Sequence, residues 1–248
     1  MSGHSKWSTI KRKKGANDAK RGKLFTKIIR ELTVSARNGG GESTNPQLRS
    51  AVQNAKTANM PQATIDRAIR RGTGDEPGAV YEPGIYEGYG PGGVAVMVET
   101  LTDNKNRTVA ELRHVFSKYN GNLAENGSVA WMFEQRGVIE VEKVGLEEED
   151  LMLAVMDAGA EDIHDSDGVF EVISPLSGFE QVKKALEESD IAFAQASLSW
   201  LPQRLLEVQG KEVDQIIRLL EGLEDIDDVQ KVFSNFDIQE EELQNLTA

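Results

Sequence analysis

Between residues 72 and 78 the chain reads Gly-Thr-Gly-Asp-Glu-Pro-Gly. Neither helix nor strand runs easily through such a stretch, because its glycines carry maximal backbone entropy and its proline lacks a donor. This breaker separates two parts that follow different hydrophobic periods. Before it, apolar residues recur at helical spacing. Beyond it, short alternating or continuous apolar runs take turns with helical stretches, the pattern of an α+β protein.

The division is also one of charge. The whole chain carries a formal net charge of −13, which taken alone argues against a polyanion-binding protein. Residues 1–74, however, hold 16 Lys and Arg against only Asp18, Glu31, Glu42 and Asp66. Residues 75–248 hold the other 12 basic residues and 37 acidic ones. A strongly basic head is thus joined to strongly acidic bodies, an asymmetry that points to a nucleic-acid-facing module.

Within the head, residues 1–16 are basic and glycine-punctuated, with Trp7 and Ile10 as their only large apolar groups. They are expected to form a flexible arm. Residues 17–74 are expected to form a three-helix domain. Its first helix runs from Asn17 or Asp18 to Arg37 and stops at Asn38-Gly-Gly-Gly41. The second spans Pro46 to Ala58, and the third begins at Pro61 and ends before Gly72. At about 100° per residue, Phe25, Ile28, Ile29, Leu32 and Ala36 share one face of the first helix, with Lys20, Lys23, Lys27, Arg30 and Arg37 opposite. The third helix repeats the design, with Ile65, Ala68 and Ile69 set against Arg67, Arg70 and Arg71. A merely solvated helix face mixes charge signs. Few acids interleave here, so a polyanion-binding surface is the better reading.

Beyond the breaker, strands are expected at Val80–Tyr89 and Gly93–Leu101, a helix at Asn106–Tyr119 and a short strand at Val129–Phe133. Residues 136–202 then give strand Val138–Glu142, helix Leu146–Asp157, strands Glu161–His164 and Val169–Ser174, helix Gly178–Glu188 and strand Ala192–Trp200. That βαββαβ order is ferredoxin-like. A strand at Arg204–Gln209, a helix at Lys211–Leu223 and a strand at Val229–Asn235 are too few for a further domain. They are expected to complete the earlier sheet. The ferredoxin-like unit is then inserted in a discontinuous α+β domain of residues 79–135 and 203–248.

Several chemistries are excluded or disfavoured. The absence of cysteine removes disulfides, Cys-based zinc sites and thiol nucleophiles, and fits the cytoplasm. The basic N-terminus is no secretory signal, Ser2 removes N-myristoylation, and the longest strongly apolar run, Val94–Val98, is far too short to span a membrane. The sequons at Asn106, Asn126 and Asn245 carry no meaning in that setting. Gly88-Tyr-Gly-Pro-Gly-Gly93 satisfies a dinucleotide fingerprint by letter. It leads into the strand-like Val94–Val98 rather than a helix N-terminus, so a hairpin turn is expected instead. Asp162, His164, Asp165 and Asp167 lack the ligand pattern of a calcium loop, with Ile163 and Ser174 standing at two required positions. No metal and no cofactor are expected. His4, His114 and His164 lie in separate segments without convergence, so no catalytic constellation is apparent and a non-enzyme is expected. An enzyme would need convergent acids in a pocket within residues 80–248.

The residues also carry a resemblance. Gly3-His-Ser-Lys-Trp7, Asp18-Ala-Lys-Arg-Gly-Lys-Leu-Phe25 with Ile29-Arg-Glu31, and Asn59-Met-Pro61 with Arg67-Ala-Ile69 resemble the YebC/PmpR family. So do Tyr86-Glu-Gly-Tyr-Gly-Pro-Gly-Gly93, Thr102-Asp-Asn104 with Asn106-Arg-Thr108, and Gly127-Ser-Val129. The resemblance implies an N-terminal helical domain followed by two α+β domains, the last ferredoxin-like and inserted. It also implies nucleic-acid-linked regulation. Bacterial relatives are described as cytoplasmic DNA-binding transcriptional regulators. A mitochondrial relative is described as a translational activator of cytochrome c oxidase subunit I, and others as ribosome-associated factors that relieve stalling at proline-rich stretches.

DNA is therefore the first expected partner and the ribosome the alternative. Candidate nucleic-acid-binding residues are His4, Lys6, Trp7, Lys11, Arg12, Lys13, Lys14, Lys20, Arg21, Lys23, Lys27, Arg30, Arg67, Arg70 and Arg71. The Lys and Arg among them suit phosphate contacts. An aromatic-bearing basic arm would also suit irregular RNA. The acidic bodies repel polyanions and so orient the head, or offer a face to a protein partner, or confer solubility.

Overall fold

The structure is a computed structural model that describes residues 10, 18–39, 41–166 and 168–239, with the side chains of residues 18–21 outside that description. The chain is α+β, and its described residues fall into two compact units. One holds the described residues of 18–129 with 210–232, and the other Ile10, 130–209 and 233–239.

The first unit opens with three helices, α1 (Asp18–Arg37), α2 (Pro46–Thr57) and α3 (Gln62–Thr73). Asn45 makes the α1–α2 junction. Its side chain accepts the amide of Leu48 at 3.0 Å, capping α2, and donates to the carbonyls of Ser35 and Gly39 at 2.8 and 2.9 Å. Ile28, Leu32 and Ala36 of α1 pack with Leu48, Ala51, Val52 and Ala55 of α2 and Ile65 and Ala68 of α3. That is the apolar face the helical period predicts.

The third helix runs past its expected end, to Thr73, with Gly74 supplying the left-handed terminus at φ 90°. The reason lies in packing. A Cβ on Gly72 would stand 2.3 Å from the Thr33 carbonyl oxygen and 2.7 Å from the Ala36 Cβ. Gly72 is therefore a close-approach residue between α1 and α3 rather than a breaker.

Residues 82–129 and 211–232 supply the second half of this unit. Strands β1 (Glu82–Tyr89) and β2 (Ala95–Thr102) pair antiparallel from Glu82↔Thr102 to Tyr89↔Ala95. Gly92 and Gly93, at φ 70° and 81°, turn the chain between them. The glycine-rich motif is thus a hairpin connection, as expected. Strand β3 (Asn122–Leu123) adds to β1, and β9 (Val229–Ser234) adds to β2, for a sheet order β3-β1-β2-β9. Helix α4 (Lys105–Lys118) buries Leu112 and Phe116, and α7 (Lys211–Glu224) buries a full stripe from Val213 to Leu223.

In the second unit, β4 (Phe133–Glu142), α5 (Glu148–Val155), β5 (Asp162–Ser166), β6 (Val169–Ser174), α6 (Phe179–Glu188) and β7 (Phe193–Pro202) follow the βαββαβ order. The all-antiparallel sheet runs β5-β6-β4-β7, the ferredoxin-like arrangement. Its core is Ile139, Val141, Phe170 and Val172 beneath Leu151, Val155, Val182 and Leu186. Strand β8 (Leu206–Glu207) pairs in parallel with β10 (Phe236–Asp237), within this same unit.

Four expectations shift. Val80 lies outside β1 and is 64% exposed. The strand expected at Val129–Phe133 is instead a 3₁₀ turn over Ala130–Met132. The reason is that Val129 gives its amide to the Glu87 carboxylate at 2.7 Å and has no donor left for a ladder. The strand expected at Arg204–Gln209 shrinks to the two residues of β8. Ile10, the described residue of the expected flexible arm, is helical and fully buried.

Gly72→Ala tests the close approach. In an exposed helix this change stabilises by about 1 kcal/mol through propensity. Here the clash with Thr33 and Ala36 should reverse the sign and cost about 1–3 kcal/mol. A lowered midpoint in urea unfolding is expected, and a raised one would show that α1 and α3 do not need the missing methyl.

Candidate functional site

The basic face of α1 was expected to look outward. In the structure it faces the acidic turn Glu224-Asp-Ile-Asp-Asp228 that follows α7. Lys23 Nζ binds the Asp225 carboxylate at 3.0 Å and its carbonyl at 3.2 Å. Lys27 Nζ donates to the Glu224 carbonyl at 2.9 Å. Arg30, 9% exposed, donates through Nη1 to the carbonyls of Leu101 and Asp227 at 3.0 and 2.7 Å, and to the Asp228 carboxylate at 2.5 Å. Its guanidinium carbon lies 5.1 Å from the centre of the Tyr81 ring. Arg30 is thus a buried joint between α1 and the α+β part of the same unit, and not an open phosphate contact.

Asp228 is the hub of this joint. It is 1% exposed. Beyond Arg30, the Arg107 Nη2 lies 2.8 Å from both of its oxygens, with Nε 3.3 Å from Oδ2. The hydroxyls of Thr102 and Thr108 stand 3.1 and 2.7 Å from Oδ2. Asp103 holds the outer side of Arg107 at 2.8 Å. Asn104 caps α4 by accepting the Arg107 amide at 3.1 Å. The two motifs Thr102-Asp-Asn104 and Asn106-Arg-Thr108 therefore converge on one carboxylate more than a hundred residues away. Burial pushes the Asp228 carboxyl up, but the hydrogen bonds from Arg107, Thr108 and Arg30 outweigh it and hold it below the usual 3.8. Its bonds to Asp228 and Asp103 raise Arg107 further above its already high range. Lys23, Arg30, Asp103, Arg107, Asp225 and Asp227 line a mixed-charge cleft of about 580 Å³ here.

Along the same helix, burial raises the Glu31 carboxyl above 4.5, against the pull of Lys231 and a hydrogen bond from Asn54.

A second carboxylate serves the loop after β3. Glu87, 4% exposed, accepts the amides of Gly127 and Val129 at 2.7 Å each. Tyr89 donates to the Ser128 carbonyl at 2.9 Å. This accounts for Gly127-Ser-Val129, whose backbone the body fixes in place.

The remaining candidates divide. Arg67, Arg70 and Arg71 lie exposed on α3, as expected, with Arg70 held by Glu76 at 2.7 Å. Arg67 and Arg71, four residues apart, share one side of the helix. Arg49 and Lys56 of α2, which the helical wheels did not single out, are exposed cations of the same domain. His4, Lys6, Trp7, Lys11, Arg12, Lys13 and Lys14 lie outside the described residues, and so do the side chains of Lys20 and Arg21. His114 is exposed on α4, and His164 pairs with Asp162 at 2.9 Å on β5. Asp165 pairs with Lys143, while Asp167 lies outside the described residues. Among the described residues no group of three His, Asp or Glu is placed to hold a metal ion, and no helix is long and apolar enough to cross a membrane.

Comparison with known proteins adds to this geometry. Residues 5–75 match the model for the TACO1/YebC protein N-terminal domain, and residues 81–236 the one for the TACO1/YebC second and third domain. A "probable transcriptional regulatory protein" of Desulfosudis oleivorans is 56% identical over 95% of this chain and 96% of its own. Another, of Desulfotalea psychrophila, is 56% identical over 99% of both. The crystal structure of a conserved hypothetical protein of Aquifex aeolicus, 44% identical, superposes with a TM-score of 0.84 over 90% of this chain and 92% of its own.

Two substitutions of Asp228 test the hub. Asp228→Ala leaves Arg30 buried without its counter-charge and should destabilise by about 3–5 kcal/mol in urea unfolding. Because the Asp228 carboxyl is lowered on folding, its contribution is present above its unfolded value of 3.8 and is lost as pH falls through the lower folded value. Acid unfolding of the wild type should therefore be steep below that point and flatter in Asp228→Asn. Parallel acid limbs in the two proteins would remove Asp228 as the titrating group.

Proposed function

The chain belongs to the TACO1/YebC family, and on that premise we propose that it is a cytoplasmic, non-enzymatic regulator of transcription that binds DNA through its N-terminal helical domain. The observation that carries this reading is the outer surface of α2 and α3. Arg49, Lys56, Arg67 and Arg71 are exposed there, while Glu42 and Asp66 are the only acids between residues 41 and 74. A surface so rich in cations and poor in acids suits a polyanion. The names given to the relatives support regulation of transcription as its purpose.

The same surface sets the mode of binding. Arg and Lys position a protein along phosphates. Sequence-reading helices present Asn, Gln or bidentate Arg to base edges. Here Gln47, Gln53 and Gln62 are exposed beside the cations, but Gln47 is engaged by Asn38 and Gln62 by Asp66 at 3.2 and 2.8 Å, so on this reading the contact is chiefly with the backbone and sequence preference is modest. On α1, Lys23, Lys27 and Arg30 add little, because they are engaged by the 224–228 turn. The acidic bodies repel DNA and restrict the approach to the helical domain.

Salt dependence separates these roles. If about six cations meet phosphates, the logarithm of the binding constant should fall with the logarithm of salt at a slope near −5. Arg67→Glu with Arg71→Glu should weaken duplex binding and flatten the slope by about 2, whereas Lys23→Gln should change it little. In cells, crosslinking followed by sequencing of the bound nucleic acid should enrich promoter DNA, and the double variant should lose it. Enrichment of ribosomal RNA in place of promoter DNA would overturn the reading in favour of a ribosome-bound factor.

A further inference from the structure

The solvent side of α5 is not the polar face that an amphipathic helix normally turns outward. Leu151 and Val155 fill the ferredoxin-like core at 0% exposure, as such a helix requires. Yet Met152, Leu153 and Met156 stand 42%, 79% and 48% exposed, and Val144, in the turn leading to the helix, 88%. Met152 and Met156 are one turn apart and so form a stripe, with Leu153 beside it. Exposed apolar side chains scattered singly are ordinary. Several on two turns of one helix mark an interaction surface.

The rim of this patch is of one sign. Between residues 143 and 157 there are five carboxylates, Glu147, Glu148, Glu149, Asp150 and Asp157, and one cation, Lys143. Lys143 is already paired with Asp165 of β5. By helical spacing Glu148 precedes Met152 by one turn, while Glu149 and Asp157 flank Leu153 by one turn on either side. The carboxylates of the α5 first turn, Glu148, Glu149 and Asp150, are all exposed. Methionine adapts its shape to an incoming surface better than branched residues do.

We propose that this face of α5 docks a cationic amphipathic helix of a protein partner. The partner's apolar stripe would lie on Met152, Leu153 and Met156, and its Lys or Arg residues would meet the acidic rim. Charge complementarity selects this occupant. A second copy of this face would set carboxylates against carboxylates, and an anionic polymer would be repelled. The proposal concerns a different unit from the helical DNA-binding domain. It makes the chain a connector between a nucleic acid and a basic protein.

The test uses the full chain and a synthetic amphipathic helix of leucine and lysine in seven-residue repeats, with a glutamate-for-lysine peptide as its control. Binding followed by fluorescence anisotropy should occur with the lysine peptide only and should weaken as salt is raised. The methyl resonances of Met152 and Met156 should shift on titration, a readout that needs no variant. Leu153→Asp with Met152→Ser should weaken binding about tenfold or more. Glu148→Gln with Glu149→Gln on the rim should also weaken it, whereas Glu180→Gln with Glu187→Gln on α6, an equal loss of negative charge elsewhere in the unit, should change it little.

Unchanged Met152 and Met156 signals, equal weakening by the α6 pair, or equal binding of the glutamate peptide would overturn the proposal. So would self-association of the wild type that Leu153→Asp abolishes, which would assign the face to a second copy. None of these outcomes depends on DNA binding, so the two readings fail separately.

Discussion

A single buried carboxylate organises the first unit. Asp228 takes hydrogen bonds from Arg30 of α1 and Arg107 of α4, and lies beside the hydroxyls of Thr102 and Thr108. Its backbone carbonyl also accepts the Leu101 amide at 2.9 Å. Each of these groups alone would be costly to bury. Together they satisfy both carboxylate oxygens, and they admit one relative placement of α1, the end of β2 and the start of α4. A hydrophobic joint of the same area would tolerate sliding, because apolar contact is non-directional. A forked guanidinium on a carboxylate does not slide.

This joint changes what the charge distribution means. The surplus of positive charge in residues 1–74 is a fact of sequence, but part of it is consumed within the fold. Lys23, Lys27 and Arg30 answer the turn at 224–228, and Arg37 donates to the Tyr81 carbonyl. Between residues 41 and 74 the exposed cations Arg49, Lys56, Arg67, Arg70 and Arg71 are carried by α2 and α3. Net charge counts residues, whereas a polyanion meets only those that remain exposed and unpaired.

The sequence showed the helical period of α1 correctly. Arg30 does lie opposite Ile28 and Leu32, and the wheel fails only in equating that opposite face with solvent. No local pattern reveals a partner 198 residues away. A usable signal did exist: Glu-Asp-Ile-Asp-Asp directly after an apolar helix is more acid than a turn needs. The βαββαβ order was legible because apolar strand-like runs, as at Val138–Val141 and Val169–Ile173, take turns with helical spacing, as at Leu151 and Val155 or Val182 and Leu186. Val129 reads as strand because its apolar character is the same whether its amide enters a ladder or binds a carboxylate. Gly72 reads as a breaker because sequence cannot tell a glycine that must bend from a glycine that must be thin. The cations of α3 were legible because the helix turns them to solvent, with Arg70 alone among them held by an acid, Glu76 of the following linker.

The exposed face of α5 follows the same logic from the other side. Its Leu151 and Val155 sit at helical spacing and anchor it by the ordinary rule. Leu153, Met152 and Met156 break that rule in company with a one-signed rim. A conflict between local pattern and fold is informative when it is confined to one place, since the rest of the chain shows what consistency looks like. In the basic domain the anomaly of sign, cations without acids, points to a polyanion. On α5 the anomaly is of polarity, apolar groups without cover, and the acids around them point to a cation. Both inferences rest on the same premise, that a surface departing from mixed polarity has a partner whose surface departs from it in the opposite sense.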